Sequence, residues 1–355
     1  MGLKERIVEK AGELGLSPVG VTEARPLPAE REMLSALERA GEPIPFTPAD
    51  AALRTDPRRV WPEARTIIMV GLPFAVASPP EPRGLTGYLA SGTEGPDYHL
   101  VLREKLTALD AFIRAEAPKS ACYSFVDTGP LIERPLAWRA GLGVWGENTF
   151  LLSPKGGPAF FLGGLMLNIP LEPDEPRGNF CLRCGRCRAA CPTGAISRPF
   201  HLQPGSCLSY LTQIKGEVPH AFRPLLGNRV YGCDTCLVAC PLVRKSPRAG
   251  AEVDLSEVLS LNRAGFLARF GRTAAGWRGR TVLQRNAAYA LGNLGDPAAV
   301  PILTGLLNDP RPVLRAAAVW SLGRIGGVAA RQVLERHRER ETDEEVRKEL
   351  ALALT

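Results

Sequence analysis

Cys181-Leu-Arg-Cys184-Gly-Arg-Cys187-Arg-Ala-Ala-Cys191-Pro192 is the stretch on which the reading of this chain turns. Its C-x₂-C-x₂-C-x₃-C-P order is that of bacterial ferredoxins, in which the fourth cysteine ligates the neighbouring [4Fe–4S] cluster. Two residues between ligands let a tight turn wrap three thiolates round one face of a cubane. The longer step carries the fourth thiolate to the start of the next element. A second set follows: Cys207, then Cys233-Asp-Thr-Cys236-Leu-Val-Ala-Cys240-Pro241. On this logic Cys181, Cys184, Cys187 and Cys240 hold one cluster, and Cys191, Cys207, Cys233 and Cys236 hold the other. Cys207 is assigned by counting as well as by spacing. Paired C-x₂-C motifs can also build Cys₄ zinc sites, but a C-x₂-C-x₂-C run closed by Cys-Pro suits iron–sulfur. Cys122 is left over in an apolar context and is expected to be a small buried residue. Two clusters in one module imply electron transfer in single steps.

Working outward, residues 1–173 alternate helical and strand-like stretches, which predicts an α/β domain large enough to enclose a cofactor. Thr66–Gly71 reads as a buried strand and Tyr98–Ala117 as an amphipathic helix. Ala159–Ile169 reads as another strand, broken by Gly163-Gly164. The prolines of Ile169-Pro-Leu-Glu-Pro-Asp-Glu-Pro-Arg mark a boundary, so a ferredoxin-like domain is expected over 174–255. The remainder, 256–355, repeats. Val282-Leu-Gln-Arg-Asn-Ala-Ala-Tyr-Ala-Leu-Gly-Asn-Leu-Gly295 aligns with Val313-Leu-Arg-Ala-Ala-Ala-Val-Trp-Ser-Leu-Gly-Arg-Ile-Gly326, 31 residues on, and a weaker copy begins at Val346. Such helix pairs bury their apolar faces only by stacking, as in short HEAT-like repeats, and usually form a binding surface.

Charge points the same way. From Arg263 to Arg324 nine arginines face two aspartates, a balance of +7 that equals the formal charge of all 355 residues. Arginine so concentrated favours phosphate contacts and a polyanionic partner. The composition, 45% hydrophobic and 23% charged with a pI near 9.0, supports a real core. The opening MGLKERIVEKAGELG has no apolar signal core. Gly156–Leu171, the longest uncharged stretch, is 16 residues long and interrupted by prolines, too short to span a membrane. A cytoplasmic protein is expected, whose reducing surroundings disfavour structural disulfides.

Three further motifs carry less weight. Gly141-Leu-Gly143-Val-Trp-Gly146 matches G-x-G-x-x-G but follows a helix-like stretch where a dinucleotide site needs a strand. Asp97-Tyr98-His99 begins like the D-x-H-x-x-G that places histidine on cobalt, yet Leu102 stands where glycine is required. His99, His201, His220 and His337 form no cluster in the sequence, and each alone reads as structural. Asp127 ends an apolar, strand-like stretch, a position that suits either a turn or a catalytic acid.

The segment Val126-Asp127-Thr-Gly-Pro-Leu-Ile-Glu133-Arg134-Pro-Leu-Ala-Trp-Arg-Ala-Gly-Leu-Gly-Val-Trp-Gly-Glu-Asn-Thr resembles the signature of the epoxyqueuosine reductases. So do Cys207-Leu-Ser209-Tyr-Leu-Thr and Gly227-Asn-Arg-Val-Tyr-Gly-Cys233-Asp234-Thr-Cys236, and so does the order of the three parts. The resemblance implies reduction of epoxyqueuosine to queuosine at the tRNA wobble position, the last step of queuosine biosynthesis. It further implies two [4Fe–4S] clusters, cobalamin, and an N-terminal domain similar to the cobalamin domain of reductive dehalogenases. Asp127 would be the proton donor, its carboxyl pKa raised by exclusion of water. Arg54, Asp127, Asn148, Leu151, Ser209, Cys233 and Asp234 would contact the corrinoid. The partners implied are tRNA with a GUN anticodon and a flavodoxin- or ferredoxin-type electron donor, with the enzyme a monomer away from membranes. Two other readings stay open: a corrinoid reductase of a small halogenated molecule, and a non-catalytic electron carrier.

Overall fold

Thr66–Pro73 and Phe160–Leu167 pair antiparallel along their whole length, Thr66 opposite Leu167 and Pro73 opposite Phe160. Val19–Glu23 adds to one side and Cys122–Phe125 to the other, both antiparallel, giving the first sheet. In this computed structural model residues 1–41, 46–47, 50–93, 95–154, 156–245 and 251–355 are described.

The run Thr-Ile-Ile-Met-Val-Gly is buried at every position, and apolar after Thr66, because both faces of the sheet are covered. Ile68 and Val70 pack beneath the helices Leu3–Glu13 and Tyr98–Glu116, through Ile7, Ala11, Leu102, Leu106 and Ile113. Ile67 and Met69 face the other way, onto Leu136 and Ala137 of the helix Glu133–Arg139. Leu102, which replaces the glycine of a cobalt-histidine motif, is thus a core residue with 0% exposure.

The expectation that Gly163-Gly164 break their strand is corrected: the strand runs through both, with Gly163 opposite Val70 and Gly164 opposite Met69. The glycines make room across the sheet instead. A β-carbon on Gly164 would lie 2.5 Å from the Phe125 ring. That ring thereby packs down on the sheet just before the chain turns out at Asp127.

In the cysteine-rich part, Arg186–Ala189 and Thr235–Val238 are single helical turns that pack on each other. The turns carry Cys187 and Cys236, and the last cysteine of each set lies just beyond its turn, Cys191 beside the second set and Cys240 beside the first. The domain does not stand apart. Thr86–Leu89, from the N-terminal region, is the central strand between Arg229–Tyr231 and Ala251–Asp254. The Ser91 N–H also donates to Asp234 Oδ2 at 2.6 Å.

The C-terminal region stacks helices in the order expected. Arg280–Leu294, Pro312–Ile325 and Glu344–Ala353 form one layer, each packed on the next. The two glycines that align in the 31-residue repeat make equivalent close approaches. A β-carbon on Gly292 would lie 2.7 Å from Ser321 Cα, and one on Gly323 would lie 2.8 Å from Ala353 Cβ.

The arginine count overstates the charge this region offers a partner. Arg285 is 1% exposed and donates to the carbonyls of Ile214 and Gly216. Arg269, Arg311 and Arg315 pair with Glu257, Asp309 and Glu341. Two of those acids lie outside the Arg263–Arg324 window, which is why counting within it missed them. Arg263, Arg272 and Arg324 are exposed.

Candidate active site

Asp127 lies two residues beyond the Cys122–Phe125 strand with φ +40°, a left-handed conformation that non-glycine residues seldom adopt. Its partners hold it there. Its N–H donates to Glu133 Oε1 at 2.6 Å, and Tyr98 Oη donates to its Oδ2 at 2.5 Å. His99 Nε2 stands 3.3 Å from the same carboxylate oxygen, while His99 Nδ1 lies 2.7 Å from Asp97 Oδ1. Burial works against a charged His99 ring, but the two carboxylates outweigh it and raise its pKa.

These contacts set the charge of the site. The approach of His99 lowers the Asp127 pKa, burial opposes it, and the Tyr98 hydrogen bond lowers it further. The raised value expected of a proton donor belongs to the site with cofactor and substrate bound; in the free site the Asp127 carboxyl is held below its ordinary range. Neighbouring Glu133 behaves oppositely. Burial and the Asp127 charge push its pKa up to about 8, so it keeps its proton at neutral pH.

Asp127 and Glu133 line a cavity of about 580 Å³, within the roughly 300–1,000 Å³ range of small-molecule sites. Cys191, Cys207, Cys233 and Cys236 line the same cavity. A separate, much narrower cavity is lined by Cys181, Cys184, Cys187 and Cys240. The two groups are those read from the spacing. Burial raises the Cys236 pKa, and the nearest charges acting on it include Cys233, Cys207 and Cys191.

Of the other residues singled out, Arg54, Asn148, Ser209 and Cys233 line the main cavity and Leu151 and Asp234 do not. The Leu151 side chain lies in the core beside Leu136 and Met166. The Asp234 carboxylate is turned to the Ser91 N–H. Asn148 is 3% exposed and its Nδ2 has no hydrogen-bond partner among the described residues, an orphaned donor beside a cavity that a polar ligand group would satisfy. Cys122 is half-buried against the core, and burial pushes its thiol up to about 12.

Tyr98, His99 and Glu133 are site residues that the sequence reading missed. Tyr98 and His99 sat inside a motif set aside for want of a glycine. Nothing local linked them to Asp127, which lies 29 positions from Tyr98. Glu133 stands in the signature segment, where its sequence context assigns it no role.

An acid-bearing cavity backed by a ferredoxin-type thiolate set defines an iron–sulfur oxidoreductase. Three family models match: "Epoxyqueuosine reductase QueG, DUF1730" over residues 54–128, a 4Fe–4S double cluster binding domain over 180–242, and HEAT repeats over 279–355. The epoxyqueuosine reductase of Bacillus subtilis (strain 168) is 37% identical over an alignment covering 98% of this chain and 94% of that protein. A crystal structure of epoxyqueuosine reductase with an epoxyqueuosine-modified tRNA-Tyr stem loop matches with TM-score 0.93 at 36% identity, covering 99% of this chain and 98% of that one. A Bacillus subtilis structure, described as having its aspartate catalytic loop swung out of the active site, matches with TM-score 0.92 at 35% identity and the same coverage. The chain belongs to the epoxyqueuosine reductase family.

Proposed function

We propose that this protein reduces epoxyqueuosine to queuosine at the wobble position of tRNA, with Asp127 delivering a proton to the departing oxygen. The observation that carries this reading is that Asp127 shares one cavity with Cys191, Cys207, Cys233 and Cys236. Removing an epoxide oxygen as water takes two electrons and two protons, and an alkoxide leaves poorly without an acid. Two [4Fe–4S] clusters held by the eight cysteines, and cobalamin between them and Asp127, would supply the electrons.

The residues of the cavity fit a corrinoid. Arg54, Asn148, Ser209 and Cys233 would meet its edge, and the orphaned Asn148 Nδ2 supports a polar ligand group there. Asp127 must be protonated to donate. Bound substrate excluding water would raise its pKa from the depressed value of the free site, and Glu133, whose Oε1 accepts the Asp127 N–H, keeps its own proton and so adds no second negative charge beside Asp127 at neutral pH. His99 and Tyr98 orient the carboxylate.

The substrate is tRNA with a GUN anticodon, the enzyme acts as a monomer in the cytoplasm, and electrons arrive from a flavodoxin- or ferredoxin-type protein. Exposed Cys184 and Leu182, the latter 60% exposed, support entry on the side of the first cysteine set. No helix among the described residues is long and apolar enough to cross a membrane. The deciding experiment incubates purified protein with epoxyqueuosine-bearing tRNA, cobalamin and a strong reductant. Mass analysis of the nucleosides should find queuosine. Its absence, with both clusters intact, overturns the assignment.

A further inference from the structure

Beyond the cavity wall, three aromatic rings from distant parts of the chain meet at the rim. The Phe46 ring centroid lies 5.2 Å from Tyr210 and 5.2 Å from Trp277, edge-on to the latter at 85°. The Arg278 guanidinium sits 4.8 Å over Phe46 and 4.6 Å over Trp277. Gln213 fastens the group. Its Oε1 accepts from Trp277 Nε1 at 3.0 Å and from Tyr231 Oη at 3.1 Å, and its backbone carbonyl accepts from Arg278 Nε at 2.7 Å.

A hydrophobic core would hide such rings, yet Trp277 is 50% exposed and Phe46 48% exposed. Phe46, Tyr210 and Gln213 also line the main cavity, so the rings adjoin the space that holds Asp127. Flat, half-exposed rings in contact with a cation suit one ligand class: an unpaired nucleobase with its phosphate. Single-stranded RNA is read by stacking splayed bases on aromatic side chains and arginine planes. Exposed Arg263 and Arg272, in the same stretch as Trp277, extend the positive charge away from the rim.

We infer that Phe46, Tyr210, Trp277 and Arg278 form a stacking platform for an unpaired base of the anticodon loop beside the modified nucleotide. The platform holds the loop open so that the modified base can enter the cavity. This rests on the reading of the substrate as tRNA.

The test uses the holoenzyme and an epoxyqueuosine-bearing anticodon stem loop, with 2-aminopurine in turn at each nucleotide flanking the wobble position. Wild-type turnover of the stem loop checks the underlying reading; if wild type neither binds nor reduces it, that reading and this inference fall together. With wild type active, Trp277→Ala should weaken binding by roughly 5- to 150-fold, the loss of one stacked base. The loss should appear in KM more than in kcat, leave the salt dependence of binding in place, and abolish quenching of 2-aminopurine at one flanking position. Trp277→Phe, which keeps a flat ring, should recover most of the affinity. Iron content and thermal midpoint report whether the variants fold. Binding by folded Trp277→Ala within twofold of wild type, with the quenching intact, overturns the inference while leaving the reductase assignment standing.

Discussion

Tyr98 Oη donates to Asp127 Oδ2 across 2.5 Å while the Tyr98 ring lies flat on Phe161, 4.0 Å between centroids and 3° from parallel. A donor braced on the sheet in this way favours the ionised form of the acid beyond the end of the Cys122–Phe125 strand. Tyr98→Phe keeps the stack and removes the hydrogen bond. The Asp127 pKa should rise, so the pH limb of kcat governed by this carboxyl should move upward. A limb at the wild-type position would show that the phenol does not act on Asp127.

Asp127→Asn should bind both clusters and the RNA stem loop and yet lose roughly 10²–10⁴-fold in turnover, the usual contribution of a positioned acid. Single-turnover kinetics with pre-reduced enzyme separates this loss from slow electron delivery. A variant as fast as wild type would remove Asp127 from the mechanism.

Glu133 gives a second pH dependence, of opposite sign. Its pKa in the folded protein is raised to about 8 from an ordinary 4.5, so its contribution to stability is full below 4.5 and lost as pH rises through 8. Ionised Glu133 would also face ionised Asp127. Turnover should therefore fall above about pH 8, and Glu133→Gln, which keeps an oxygen for the Asp127 N–H, should flatten both that limb and the stability slope. Thermal midpoints across pH 5–9 and a kcat profile check the two together. Unaltered curves in the variant would mean that Glu133 carries no proton at neutral pH.

Cys207→Ser should leave about four irons per chain, half the complement of two [4Fe–4S] clusters. Cys122→Ala should keep the full complement, since Cys122 packs against the core of the first sheet. Iron analysis and low-temperature spectra of the reduced proteins decide both.

The eight cysteines were legible because ligand spacing is a local code, and so were the repeats, whose period is written in the chain. Thr66–Gly71 and Tyr98–Ala117 were legible from hydrophobic pattern alone. The geometry around Asp127 was not. Tyr98 and His99 reach it only because the helix Tyr98–Glu116 lies across the sheet, a consequence of packing that no local spacing records. Leu151 and Asp234 show the reverse, since each lies in a motif near the cavity while its side chain is engaged elsewhere, in the core and with the Ser91 N–H. The arginine count misled for a related reason: charge in sequence ignores which acids fold back onto it.

Gly292 and Gly323 allow a test of the stacked helices. Gly292→Val would drive a branched side chain against Ser321 and should cost about 1–3 kcal/mol, the usual range for overpacking. Calorimetry should find a lower midpoint with iron content unaltered. No shift would mean that the helices can slide apart at no cost.

Thr86–Leu89 crosses from the N-terminal region to become the middle rung of a sheet whose other rungs come after residue 228. A fragment cut at the proline-rich stretch would keep every cluster ligand and still have a gap through its centre. Electron-delivering and acid-bearing halves of this molecule are therefore not interchangeable cassettes. Anyone wishing to transplant the cofactor-loading half into another scaffold would have to carry that distant ribbon along with it.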